Sequence, residues 1–297
     1  MNYKHSLFAA IIATALFGAC SNDDENEPTT SKYITISTQI GQMTRVADQP
    51  DGSQVFSDGD VISVYAWTGD ATTVPATGRV VDNSANMLSG KTWVASPQML
   101  WADQTTPHYF IGIYPKTASS VTDFTAMPYT VNPSTPDAND LLIATNLNGL
   151  KPQTAPVPLL FDHVMGRMVI NFTFRTQFGD NPKVEKVVVK DALTSATVNC
   201  LTKAVTGTGS RTDMQLSATD VKGQYASVVV PGQTGLRTIV ITIDGKDYTY
   251  SHTEDIVPSA GKQTTINLIV GKDAIILGDL SINPWQKGTE ISGGEAQ

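Results

Sequence analysis

From Tyr33 onward the chain is built of short runs in which apolar and polar residues alternate, and turn signals cut those runs apart. Ile34, Ile36 and Ile40 alternate with Thr35, Ser37 and Gln39, and the same period of two returns in residues 61–67, 168–174, 184–189, 225–230, 238–243, 248–251 and 264–270. A period of two places one set of side chains on a buried face and the other in water, which is the signature of half-buried strands. Asp51-Gly52, Asp58-Gly59, Pro231-Gly232 and Asp244-Gly245-Lys246 lie between runs, where glycine supplies the positive φ that tight hairpins need. No stretch of 12 residues keeps a helical period. The pattern predicts an all-β protein, antiparallel and sandwich-like, with Greek-key or hairpin connections.

At 297 residues the chain has room for about two domains. The segment 151–158, KPQTAPVP, holds three prolines between two series of strands, so the expected division is 33–157 and 158–297. Charged residues make up only 16%, and the formal net charge is -8, so there is no basic surplus for nucleic acid or an anionic bilayer. Nucleic acid is not an expected partner.

The first twenty residues read as an address. Lys4 precedes an apolar stretch over 7–19, too short to span a bilayer, which ends at Gly18-Ala19-Cys20. Two small residues before a cysteine are the arrangement of bacterial lipoprotein signals, so residues 1–19 are expected to be removed and Cys20 to carry lipid. Residues 20–32 then form an acidic tether, since SNDDENE over 21–27 cannot pack a core. The other cysteine, Cys200, has neighbours that suggest a strand and is expected to behave as a small hydrophobe.

Motifs for chemistry are sparse. His5, His108, His163 and His252 have no second ligand at metal spacing, and no P-loop, GxSxG elbow, CxxC or DxDxDG loop occurs. No catalytic residue, metal or cofactor is assigned. Asp58-Gly59-Asp60 reads as a tight turn before it reads as a carboxylate pair, and Asp162-His163 is a weak start for a triad. Trp67, Trp93, Trp101 and Tyr109 could stack on sugar rings, although packing is the simpler use of each.

Two segments suggest strand exchange. The strand over 33–42, with Ile34, Ile36 and Ile40 on one face, is followed by Arg45-Val46, so a cut after Arg45 would release it. The tail over 274–288 carries Ile275, Ile276, Leu277, Leu280 and Ile282 past the last strong turn and is a candidate donor strand. Loss of the first strand would open a sheet edge and an apolar groove that an extended segment of another chain could fill.

Several ordered motifs resemble a known family. Phe56-Ser-Asp-Gly59-Asp60-Val-Ile62-Ser-Val64-Tyr65 is similar to the FxxGDxIxVY opening of the Bacteroidetes fimbrillins, which include fimbrillin-A-like and Mfa-like fimbrial subunits. Tyr109 to Pro115 resembles the family's aromatic strand, Asp140-Leu-Leu-Ile-Ala144 its DLLxA segment, and Leu159 to His163 its FxH block. Gly261-Lys262 and Ile282-Asn-Pro-Trp285 resemble its C-terminal close. The resemblance implies two transthyretin-like β-sandwich domains in tandem, exported as an outer-membrane lipoprotein precursor and placed in a surface fimbria. It also implies cleavage between Arg45 and Val46 by an arginine-specific protease, donor-strand exchange with other fimbrial subunits, and adhesion to host or bacterial surface ligands. The alternative is a monomeric surface lipoprotein that binds glycans through exposed aromatics.

Overall fold

Strands account for nearly all of the regular structure in the computed structural model, which describes residues 31–41, 55–133, 140–179 and 182–284. In chain order they begin with β1 (Ile36–Ile40), β2 (Val61–Thr68), β3 (Val81–Ser89), β4 (Thr92–Ser96), β5 (His108–Tyr114), β6 (Met127–Thr130), β7 (Leu142–Leu150) and β8 (Val157–His163). Then follow β9 (Gly166–Phe174), β10 (Val184–Ala192), β11 (Ser195–Val198), β12 (Val205–Thr208), β13 (Thr212–Gln215) and β14 (Ser217–Ala218). The last are β15 (Gln224–Val229), β16 (Thr238–Ile243), β17 (Lys246–Ser251), β18 (Lys262–Val270) and β19 (Ile275–Pro284). One 3-10 turn spans Thr176–Phe178, and among the described residues no helix is long and apolar enough to cross a membrane.

The all-β expectation holds, and the punctuation works as the turn chemistry demands. Between β16 and β17, Asp244 and Gly245 have φ of 50° and 76°, the two positive values of a type I′ hairpin. Among the described residues four sheets result, in the orders β1-β8-β7-β5-β2-β3-β4, β13-β10-β16-β17, β12-β11-β6 and β14-β15-β9-β18-β19. Most neighbours run antiparallel, but β1 lies parallel to β8 and β9 parallel to β18. Both parallel pairs join strands far apart in sequence, as parallel pairing needs a crossover that no short turn provides.

Three apolar clusters hold the sheets. One face of the seven-stranded sheet, with Tyr65, Trp67, Ile111 and Ile113, packs on the three-stranded sheet through Met127, Ala196 and Val198. The opposite face encloses Ile34, Ile36, Phe56, Trp93, Trp101, Phe110 and Phe161. The four- and five-stranded sheets bury a third cluster that includes Val187, Ile241, Ile266 and Leu268. The residues after the proline-rich segment begin in the first sheet, since β8 pairs with β7, and the chain leaves that sheet between His163 and Gly166. The three-stranded sheet is mixed in origin, with β6 paired to β11.

Candidate assembly interface

The first strand closes the seven-stranded sheet. On one side β1 pairs with β8 in the register Ile36 with Val157, Thr38 with Leu159 and Ile40 with Phe161. Gly41 N–H continues that ladder to the Phe161 carbonyl at 2.8 Å. On its other side the Ile34 N–H reaches the Met99 carbonyl at 3.0 Å, and the Trp101 N–H reaches the Lys32 carbonyl at 3.1 Å. Trp93 of β4 donates its indole N–H to Thr38 Oγ1 at 3.0 Å, so the two edge strands of the sheet, β1 and β4, meet. Alternation turns Ile34 and Ile36 into the enclosed cluster, where they are 1% and 6% exposed, while Ile40 packs against it half-buried.

Among the described residues, half of the wall that β1 covers has no other strand paired with it. The Val157 N–H reaches the Thr35 carbonyl at 2.8 Å, so alternation turns Pro158 toward β7, where it has no N–H to give, and β7 pairs only with the second half of β8, from Phe161 to His163. Residues 157–160 therefore depend on β1 and on the Asn146 amide, which donates to the Pro158 carbonyl at 3.0 Å. Ring contacts finish the floor, with Phe56 edge-on to Trp93, Tyr114 and Phe161 at centroid distances of 5.2, 5.4 and 5.2 Å.

The tail is an edge strand as well. β19 pairs antiparallel with β18 along its length, with a bulge at Gly278 where the register shifts between Asn267 and Leu268. Ile275, Leu277 and Leu280 lean on the third cluster, whereas Ile276 and Ile282 are 42% and 48% exposed. The donor candidates thus sit in their own sheet, held along one side only.

The remaining sequence candidates are used for packing and turns. Trp67, Trp93 and Trp101 are buried, and half-buried Tyr109 lies 5.8 Å from the Trp67 ring, so the sugar-stacking alternative loses these aromatics to the core. Asp58 accepts the Gly90 N–H at 2.6 Å, and Asp60 accepts the Ser57 N–H at 2.7 Å and the Tyr114 hydroxyl at 3.1 Å, which fixes a turn. Burial, reinforced by Asp60, raises the Tyr114 pKa. Asp162 and His163 point to opposite faces, as adjacent strand residues must. Asp162 pairs with Lys203 outside, and His163 Nδ1 meets Asp140 Oδ2 at 2.5 Å inside.

Cys200 is buried, but it stands in the turn after β11 rather than on a strand, because Asn199 Oδ1 accepts both the Leu201 and Thr202 N–H groups at 3.0 Å. Burial pushes its thiol up to about 12. Among the described residues no group of histidine, cysteine and carboxylate side chains could hold a metal. A depression of about 420 Å³ lies beside Lys116, Asp123 and Tyr129, where Asp123 Oδ1 accepts the Thr125 N–H and hydroxyl at 2.8 and 2.6 Å.

Cys20, Arg45 and Val46 lie outside the described residues, as does the tail beyond Pro284. Of the two groove residues that meet as donor and acceptor, Trp93 and Thr38, the sequence reading names only Trp93, as packing or a sugar platform. The signal was present in Thr38, the polar member of an inward series otherwise made of Ile34, Ile36 and Ile40.

Comparison with known proteins fits this architecture. A fimbrium subunit of Bacteroides uniformis that carries the provisional name Fim1C is 25% identical over 252 residues, covering 82% of this chain and 80% of that protein. Among solved structures, a provisionally named cell adhesion protein of Bacteroides ovatus aligns with a TM-score of 0.67 at 15% identity, over 86% of this chain and 98% of that one. The tip fimbrial protein Mfa3 of Porphyromonas gingivalis, with its C-terminus truncated, aligns with a TM-score of 0.50 at 10% identity, over 85% of this chain and 99% of that one. These structures share the fold. The family model described as fimbrillin-like matches residues 44–285, and the chain belongs to that family.

Proposed function

We propose that the protein is a structural and adhesive subunit of a cell-surface fimbria, assembled by loss of its first strand and insertion of a strand from another subunit. The fimbrillin-like family is one of structural subunits rather than enzymes. The observation that carries the finer reading is the seat of β1. It is a separate strand on an edge, its side chains fill an apolar cluster, and the first half of β8 beside it pairs with no other described strand.

In this reading Cys20 anchors the precursor to the outer membrane through lipid. An arginine-specific protease cuts between Arg45 and Val46, and residues 20–45 leave with β1. Removing Ile34, Ile36 and half-buried Ile40 strips the cluster of about 1.5 to 3 kcal/mol for each fully buried side chain. A replacement strand recovers that term together with the backbone ladder, less the cost of ordering it. The tail over 274–288, which includes β19, supplies the strand. Groove and tail are different surfaces, so the contact is heterologous and extends into an open filament.

N-terminal sequencing and intact mass of the protein from its native cell surface test the reading. A start at Val46 with ladders of polymer is expected. A lipidated Cys20 start throughout would overturn the stalk assignment.

A further inference from the structure

The enclosed face of β1 is apolar except at one point. Its inward series runs Ile34, Ile36, Thr38, Ile40, and at Thr38 the groove presents an N–H instead of carbon, the Trp93 indole at 3.0 Å. Trp93 is 9% exposed and packed edge-on to Phe56, so its N–H depends on what lies in the groove for a partner. A buried donor left without an acceptor loses its hydration with nothing in return, whereas a strand that brings an oxygen there is accepted. The groove therefore discriminates by penalty as much as by fit.

We propose, building on the strand-exchange reading above, that the Trp93 indole selects the inserting strand and sets its register. The strand lies parallel to β8, with aliphatic side chains in the places of Ile34 and Ile36 and a side-chain oxygen in the place of Thr38. A second copy of this chain meets that rule through β19 with Ile275, Leu277 and Asp279, which have the required spacing.

Other registers of β19 fail. A shift by one residue puts Gly278 in the pocket of Ile36 and Leu280 on the indole N–H, and a shift by two puts Asp279 in the pocket of Ile36. The chosen register sets Ser281 at the half-buried place of Ile40 and Ile282 at that of Gly41, where a Cβ meets Asp162 Oδ1 at 2.8 Å. The Asp162 side chain is 45% exposed and turns aside.

Peptide exchange into the full chain tests this. A specific protease site is built into residues 42–54, the connection is nicked with residues 31–41 still in place, and fluorescent peptides are offered in excess. The 31–41 peptide and its Thr38→Ser form are expected to enter, and the Thr38→Val form about tenfold more weakly. The 274–282 peptide is expected to enter, and its Asp279→Leu form about tenfold more weakly. In a Trp93→Phe chain the preference for threonine over valine disappears. Entry of the Thr38→Val peptide as readily as the parent, or of the Asp279→Leu peptide as readily as its own, overturns the selection by Trp93 and leaves strand exchange standing. Failure of every peptide to enter, the 31–41 sequence included, overturns both.

Discussion

Truncation of Ile34 to alanine separates a first strand that holds its sheet together from one that merely lies on it. Ile34 is 1% exposed and shares a cluster with Phe56, Trp93, Trp101 and Phe161. The substitution removes about three carbons at about 0.8 kcal/mol each, so the transfer term alone is about 2.4 kcal/mol. The rigid aromatic neighbours leave a cavity, which brings the expected loss to about 3 kcal/mol, within the 2–5 kcal/mol usual for buried isoleucine. In urea, with a slope of about 2 kcal/mol per molar, the midpoint should fall by about 1.5 M. Trp93 and Trp101 lie in the same cluster, so tryptophan fluorescence reports on the site directly. Ile36→Ala at 6% exposure should behave alike, and the double variant should depart from additivity because the two side chains share neighbours. Ile276→Ala, at 42% exposure on β19, should cost about 0.5 kcal/mol or less. A loss below about 1 kcal/mol for Ile34→Ala, or one no larger than that of Ile276→Ala, would refute the claim that β1 is an integral part of that core.

Gly112→Ala places a Cβ 2.6 Å from Phe161 Cζ and 3.2 Å from Leu159 Cδ1, both sealed in the core, so overpacking should destabilise by about 1–3 kcal/mol in the same urea assay. His108 donates from Nδ1 to the Thr106 carbonyl at 2.8 Å and accepts the Ala102 N–H at Nε2 at 3.0 Å, and burial holds its pKa below the ordinary 6.5. The unfolded chain therefore takes up the proton first as pH falls. The stability held by neutral His108 is complete above pH 6.5 and is lost as pH drops through the lower folded pKa. His108→Gln should flatten the dependence of the urea midpoint on pH below 6.5, and parallel curves would count against it. In a chain starting at Ser21, Cys200 should resist iodoacetamide at about pH 8 while folded and react fully in urea, because the thiolate is scarce behind a pKa of about 12. Fast labelling of the folded chain would contradict that burial.

The strands β2, β9, β10, β16 and β18 were legible in the sequence, although only β16 and β18 alternate in burial and β2 is buried on both faces. What alternation could not specify was partner and direction. β1 was legible as a strand, but its place parallel to β8 is decided by a segment far away in the chain, and nothing local encodes it. β3 was missed because Asp82, Asn83, Ser84 and Asn86 disfavour strands by composition. The fold accepts them by giving buried Ser84 the Pro97 carbonyl at 2.8 Å and buried Asn86 the Ser84 carbonyl at 3.1 Å. The tryptophans carried two meanings, sugar platform or core, and only burial separates them.

Strand exchange requires β1 to be integral and yet separable, and the topology allows both. β1 is bonded to β8, and the residues just before it, 32–34, to residues 99–101, and no short turn ties it to either. Its enclosed side chains reach a single cluster. The cluster on the opposite face of the same sheet, built from Tyr65, Trp67 and Ile111 against Met127 and Val198, contains no residue of β1, and neither does the cluster between the four- and five-stranded sheets. Withdrawal of β1 therefore opens one core along one seam while two others keep their contents. Partial opening of this kind leaves a groove shaped for a strand, with one apolar cluster to refill and the Trp93 indole N–H to satisfy.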